Sequence, residues 1–225
     1  MAIHSSADVT QEELEQRAHL CASQGEVLKA VELACQLLSL APTRPYLTWA
    51  SEWLTPEAIK SIGLPSLWPC IIPMVKLGLS LPPQADRGDA RLVNVEAAAG
   101  IVGRIRGIFS EDAQLYIAEA MLLRRVGDLD ATLAVASLAA ERFPQMWPCQ
   151  TTLMHALADA GRFDEALVHA QLAIALAPEN GSPLHDVAVA LARAGRTAQA
   201  KDLLGHLCAR YPGYPLSDEA RMALG

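Results

Sequence analysis

The residues of this chain that could perform chemistry are its six histidines and five cysteines, which can act as bases, nucleophiles or metal ligands. His206 and Cys208 are two residues apart in a stretch that favours helix, so they point to different faces, and no second pair accompanies them. Cys149 and His155 are six residues apart, which also separates their directions on a helix. The spacing predicts no metal site, although a cysteine and a histidine could still meet across the fold.

Two further short motifs have ordinary structural explanations. His185 and Asp186 are sequence neighbours, which by itself indicates no catalytic pair. Arg87, Gly88 and Asp89 spell an adhesion tripeptide, but these residue types are also typical of a turn. We therefore expect no catalytic residue, no metal and no cofactor, and we predict that the chain is not an enzyme.

Charge and composition exclude several classes of partner. The chain has 225 residues and a net charge of −7, without a run of lysine or arginine. Nucleic-acid binding needs clustered positive charge, so no nucleic-acid partner is expected. No apolar stretch reaches the length that crosses a bilayer, which predicts no membrane insertion. The cysteines are odd in number and set in apolar helical stretches, as is typical of free buried thiols in a reducing cytoplasm.

A 34-residue period organises the second half of the chain, and it predicts stacked helix–turn–helix units. A glycine recurs at this spacing to end each first helix, and a proline 17 residues later ends each second helix. Alanines fall where the two helices would cross closely. These positions are Gly127, Gly161 and Gly195; Pro144, Pro178 and Pro212; and Ala136, Ala139, Ala166, Ala170, Ala173 and Ala200.

The repeat resembles the tetratricopeptide repeat (TPR) family. The match is closest at 161–166, where the sequence is Gly-Arg-Phe-Asp-Glu-Ala, and at the later Pro178. The resemblance implies an all-α fold, a right-handed α–α superhelix with an irregular middle region. It also implies a concave groove, lined by the first helices of the repeats, in which partners bind.

The register predicts one array that covers residues 1–225. Gly25 and Pro42 keep the register, so a first repeat is expected near the N-terminus. Trp-Pro-Cys opens the repeat at residue 147 and also occurs at Trp68, which predicts a degenerate repeat there. The predicted segments are a repeat at 11–44, a shortened helix pair at 45–67, the degenerate repeat at 68–110, regular repeats at 113–146, 147–180 and 181–214, and a C-terminal capping helix at 215–225.

Pro65, Pro69 and Pro73 follow one another at intervals of four residues. Proline lacks the backbone N–H that a helix interior uses, and its ring collides with the preceding turn. This density predicts a break rather than one uninterrupted helix.

Glu119 occupies a repeat position that Leu153 and Val187 hold in the next two repeats, and that position should be buried. An unpaired carboxylate there would cost several kcal/mol, so it needs a partner or a local rotation that leaves it at the rim. Arg104 and Arg106 on the preceding helix are the candidate partners.

The same period predicts which side chains line the groove. The first helices contribute inward-facing positions at steps of 34 residues, apolar along the floor and charged along one edge. Such a surface suits an extended peptide or a helix of a partner. The predicted groove residues are Ile117, Thr151 and His185; Met121, His155 and Val189; Arg125, Asp159 and Arg193; and Arg124.

The resemblance also weakens one family function. TPR proteins that clamp a carboxylate do so with lysine, asparagine and arginine on successive first helices, whereas this chain has Ile117, Met121, Thr152, Ser182 and Asp186 at those places. The leading hypothesis is a cytoplasmic adaptor of bacterial type that binds a protein or peptide. A homo-oligomer, the non-catalytic arm of a larger enzyme such as a glycosyltransferase or hydroxylase, and a secretion chaperone stay open as alternatives.

Overall fold

The computed structural model describes residues 10–82 and 86–224, and these contain thirteen helices and no strand. The all-α fold expected from the repeats is confirmed. The helices are α1 Gln11–Ser23, α2 Val27–Leu40, α3 Tyr46–Trp53, α4 Pro56–Ile62, α5 Leu64–Leu79, α6 Leu92–Ile108, α7 Ala113–Val126, α8 Leu129–Arg142, α9 Trp147–Asp159, α10 Phe163–Leu176, α11 Ser182–Arg193, α12 Thr197–Arg210 and α13 Asp218–Leu224.

The chain divides into two compact units, Met1–Gly127 and Asp128–Gly225. The boundary falls between α7 and α8, inside the segment that the period assigns to one repeat. The description of the whole chain as one continuous array stays a prediction. The predicted glycine breaks are present in both units, since Gly25, Gly127, Gly161 and Gly195 all have φ between 75° and 84°. Residues other than glycine adopt this conformation poorly.

Unit 1 contains α1 to α7 around a core of aliphatic and aromatic side chains. α1 opens with a capping box, in which the Thr10 hydroxyl accepts from the Glu13 N–H and the Glu13 carboxylate accepts from the Thr10 N–H. The fully buried Asn94 on α6 joins distant segments, because its amide accepts from the Leu47 N–H at 2.9 Å and donates to the Pro42 carbonyl at 2.8 Å. These hydrogen bonds fix the connection between α2 and α3.

The helix α5 is continuous from Leu64 to Leu79, so the predicted break at the three prolines is wrong. Prolines four residues apart lie on one side of a helix. Here Pro65 and Pro69 are exposed, and Pro73 is half-buried. Water can satisfy carbonyl groups that lose their partners on such a side. The opposite side packs into the core through Leu67, Cys70, Ile71, Met74 and Leu77.

Unit 2 contains α8 to α13. We call α9 and α11 its first helices and α10 and α12 its second helices, since α9 packs on α10 and α11 packs on α12. The two first helices also contact each other, and α13 packs against α11 and α12. The alanines at the crossings, Ala166, Ala170, Ala173 and Ala200, are at most 1% exposed. Close approach of the backbones therefore depends on small side chains.

Within the described residues, no single helix is both long and apolar enough to span a bilayer. The helices Pro56–Ile62 and Leu64–Leu79 meet the length and composition criteria only as a pair, bent by 113°.

Candidate functional site

Four predicted groove residues lie on α7 in unit 1. Ile117, Met121 and Arg125 recur every four residues and therefore share one side of the helix, with Arg124 beside them. All four side chains are half-buried. The helix is fixed at both ends, by an Asp112 side chain that accepts from the Gln114 N–H and by Gly127 in the left-handed conformation.

Three predicted groove residues lie on α9. His155 and Asp159 are half-buried and lie one turn apart. Thr151 is only 8% exposed, and its hydroxyl donates to the Trp147 carbonyl at 3.0 Å within the same helix. Thr151 therefore offers a partner little surface, and His155 is the principal polar group that the middle of α9 presents.

The other three predicted groove residues lie on α11. His185 is half-buried and Arg193 is exposed. Val189 is 9% exposed and packs in a small cluster with Leu204, Leu207 and Ala220. Because Ala220 belongs to α13, the terminal helix contributes to the cluster that buries Val189.

Asp186 connects the two first helices, a role that its sequence neighbourhood did not indicate. Its Oδ2 lies 3.3 Å from the Nε2 of His155 on α9. Its Oδ1 lies 3.1 Å from the Nδ1 of His185 on the same helix, and the Ser182 hydroxyl lies 3.3 Å from Oδ2. We call His155, His185, Ser182 and Asp186 the aspartate cluster. The 34-residue period could have indicated this contact. The position equivalent to His155 in the next repeat is Val189, and Asp186 lies one helical turn before it.

The protonation of His185 follows from its partners. Its Nε2 lies 3.2 Å from the backbone nitrogen of Ser217, which can only donate a hydrogen bond. The Nε2 is therefore the acceptor, and the proton of the neutral ring lies on Nδ1, where it is donated to Asp186. The ring of His185 is thus held between Asp186 on α11 and Ser217, the residue that precedes α13.

Burial and hydrogen bonding oppose each other at Asp186. Desolvation alone would raise the pKa of this carboxyl group, but the hydrogen bonds and charge interactions with His155 and His185 outweigh it, and the pKa lies below its ordinary value. Asp186 is consequently an anion at neutral pH. With 27% of its side chain exposed, it is partly accessible to solvent and to a partner.

One chain of contacts runs from Ser217 through His185 to Asp186, in the same order as the serine–histidine–aspartate triad of hydrolases. Its geometry indicates a structural role. The Ser217 Oγ lies 3.1 Å from the Nε2 of His185 and also accepts from the Ala220 N–H at 3.2 Å. The lone pair that a general base would use already accepts the Ser217 backbone N–H. The chain therefore anchors α13 to α11.

The buried carboxylate of Glu119 has one of the two partners that the sequence suggested. Its side chain pairs with Arg106 through the Nε and, at 3.5 Å, through the Nη2. Arg106 also lies over the ring of Tyr116, 4.9 Å from its centroid. Hydrogen bonding to Glu119 is the main reason that the pKa of Arg106 is raised. Arg104 instead donates to the Ser51 carbonyl at 2.8 Å.

The remaining candidates from the sequence are the possible metal ligands and the cysteines. In the part of the chain that the structure describes, no group of three or more histidine, cysteine, aspartate or glutamate side chains is arranged to hold a metal ion. The five cysteines are free, and four are buried as expected. Cys208 differs, because it lies on the outer side of α12 and is exposed.

Comparison with known proteins finds similarity in structure only. No protein-family model matches the chain, and no curated protein matches it. YrrB, a TPR protein with an unusual peptide-binding site, is 14% identical with a TM-score of 0.54, over 97% of this chain and 93% of YrrB. TTC0263, a TPR protein of Thermus thermophilus, is 17% identical with a TM-score of 0.55, over 96% and 99% of the two chains. MamA AMB-1 is 18% identical with a TM-score of 0.52, over 89% and 98%.

These similarities identify the fold as that of TPR proteins, a class of helical repeat proteins. The resemblance that rested on the glycine, proline and alanine positions is thereby confirmed at the level of fold.

Proposed function

We propose that this protein is a non-enzymatic adaptor that binds a peptide or helix of a partner protein on the first helices of its repeats. The site in unit 2 is the side of α9 and α11 that carries His155 and the aspartate cluster. In unit 1 the corresponding residues are those on α7. We place the protein in the cytoplasm, because its cysteines are free thiols.

The observation that carries this proposal is the aspartate cluster itself. Asp186 and His155 come from two different repeats and are held at 3.3 Å. Side chains fixed in this way on rigid helices lose little conformational entropy on binding, so the surface is preorganised for a ligand. The peptide-binding site of YrrB, which has the same fold, supports a peptide as the type of ligand.

The test begins with selection of binders from a phage-displayed library of random peptides on the immobilised chain. The affinity of selected, fluorescently labelled peptides is then measured by anisotropy for the wild type and two variants. His155→Glu places a second carboxylate beside Asp186 on the first helices. His206→Glu makes the same change at an exposed position on α12.

We expect His155→Glu to weaken binding by about tenfold or more, since it replaces the histidine that orients Asp186 with a carboxylate that repels it, and the preorganised arrangement of the aspartate cluster is lost. His206→Glu should change the affinity less than twofold, and thermal unfolding by circular dichroism should show that both variants are folded. Binding that survives His155→Glu and is lost in His206→Glu would place the site on the second helices. Failure to select any peptide would contradict the peptide-binding function.

A further inference from the structure

The charge of the aspartate cluster limits which partner segment can bind there. Among the described residues, the side chains within hydrogen-bond or ion-pair distance of Asp186 are His155, His185 and Ser182. None of these is a lysine or arginine. The Nε2 of His185 is also in contact with Ser217, and a serine hydroxyl carries no charge. Asp186 is an anion at neutral pH, and none of the side chains closest to it carries a permanent positive charge.

The first helices of unit 2 offer this carboxylate no permanent cation. The sequence of α9 contains neither lysine nor arginine, and the single arginine of α11 is Arg193. Arg193 lies seven residues beyond Asp186, which corresponds to roughly 10 Å along the helix axis. Arg193 is not among the described side chains within hydrogen-bond or ion-pair distance of Asp186.

A small residue lies beside the carboxylate along α11. Ala190 is one helical turn beyond Asp186 on the same side of α11, and it is small and half-buried. The aliphatic part of a lysine or arginine packs well on such a surface while its charged end reaches an acidic group. Asp186 is already partly desolvated and oriented by its neighbours, so a cation meeting it pays less reorganisation than at a free surface carboxylate.

We propose that the segment bound on the first helices of unit 2 carries a lysine or arginine whose cation pairs with Asp186. This inference rests on the proposed peptide-binding function and specifies its ligand as a segment with a basic residue at a fixed position. It reverses the charge of the carboxylate clamp, in which the protein supplies the cations and the peptide supplies the anion.

The first experiment is a double-substitution cycle on a peptide selected by the wild-type chain. The basic residue of the peptide is replaced by norleucine, and Asp186 is replaced by asparagine, which keeps the shape but removes the charge. We expect the peptide change to weaken binding to the wild type about tenfold and to D186N less than twofold. Asp202→Asn, at an exposed position on α12, is the matched control and should behave as the wild type.

A second experiment needs no substitution and so stays informative if D186N fails to fold. A carbodiimide joins the amine of a lysine-containing selected peptide to a carboxylate that it touches, and mass spectrometry locates the bond. We expect a bond to Asp186. Bonds only to other carboxylates would overturn the pairing.

The outcomes separate this inference from the function on which it rests. Selected peptides that share no basic position, or a norleucine effect of equal size on D186N, would overturn the pairing with Asp186 and leave peptide binding intact. Absence of any selected peptide would overturn both. A shared basic residue whose contribution disappears in D186N would establish the pairing.

Discussion

Gly103 on α6 lies directly against the carboxylate of Glu119 on α7, so that a methyl group on Gly103 would meet the Glu119 Oε1 at 2.7 Å. Because glycine has no side chain, the carboxylate of the buried Glu119–Arg106 pair fits against α6 at this position. Real Cβ atoms essentially never approach so closely, so a side chain at position 103 would require the end of the Glu119 side chain to move. Because the same carboxylate pairs with Arg106, we expect that movement to disturb the charge pair.

Gly103→Ala should destabilise the protein by about 1–3 kcal/mol, the usual effect of overpacking a close contact. Gly100→Ala is the matched control on the same helix, because an added methyl group there meets no atom within 4 Å. That control should be neutral or stabilising by about 0.5–1 kcal/mol, since alanine is the better helix former. Urea unfolding followed by circular dichroism measures both, and equal effects would show that Glu119 is not confined by Gly103.

Ala170→Leu should lower stability by about 1–3 kcal/mol, because Ala170 is 1% exposed at a helix crossing in unit 2. Ala175→Leu makes the same substitution at an exposed position on α10, and Glu179→Ala tests an exposed site just beyond that helix. Both controls should melt close to the wild type. Equal melting temperatures for all three variants would mean that the assigned crossing is wrong.

The repeat register could be predicted from sequence because it depends on local requirements. The backbone is left-handed at Gly161 and Gly195, a conformation that favours glycine, and helices that cross closely need small residues. Both requirements therefore recur in the sequence with the period of the repeat. The continuity of α5 could not be predicted in this way. It depends on which side of the helix faces the core, and tertiary packing of Ile71 and Met74 outweighs the local cost of the prolines.

The candidate site was predicted less completely than the fold. The 34-residue period placed His155 and His185 on adjacent first helices, which are α9 and α11 in the structure. The role of Asp186, however, depends on how one helix is rotated relative to the next. Likewise, the sequence offered Glu119 two partners on the preceding helix, and only the packing of α6 against α7 selects Arg106. Contacts of this kind require distances between helices, which a sequence period does not contain.

His169 should make the stability of unit 2 decrease on acidification. Burial lowers the pKa of His169, although the charge of Glu165 acts in the opposite direction. The unfolded chain, in which the pKa of histidine is about 6.5, then binds more protons than the folded one, so stability falls as pH drops through 6.5 towards the folded pKa.

Urea unfolding at about pH 7.5 and about pH 5.5, on either side of the ordinary histidine pKa, measures this dependence. His169→Gln keeps a side chain that can donate to the Gln150 amide oxygen, which lies 2.8 Å from the Nδ1 of His169, but it cannot titrate. This variant should lose less stability than the wild type between the two pH values. His206→Gln, at an exposed position, is the control and should lose as much as the wild type. An identical loss in His169→Gln would exclude His169 as the source.

The thiols should differ sharply in their reactivity. Cys208 is exposed, whereas the other four cysteines are buried, and burial raises the pKa of Cys149 to about 11. Because the thiolate is the reactive form, Cys149 should resist a disulfide reagent such as dithiobisnitrobenzoate at about pH 8. We expect one fast equivalent in the native protein, lost in Cys208→Ser, and five equivalents in denaturant. Rapid reaction of two or more thiols in the native state would contradict the burial.

The most direct test of partner binding on the first helices is a photo-cross-linking map of the whole chain. A selected peptide carrying benzoylphenylalanine at successive positions is irradiated in complex with the protein, and mass spectrometry identifies the residues that it attaches to. Binding on the first helices predicts attachment within Trp147–Asp159 and Ser182–Arg193 of unit 2, or within Ala113–Val126 of unit 1. Attachment confined to the second helices, Phe163–Leu176 and Thr197–Arg210, would contradict it.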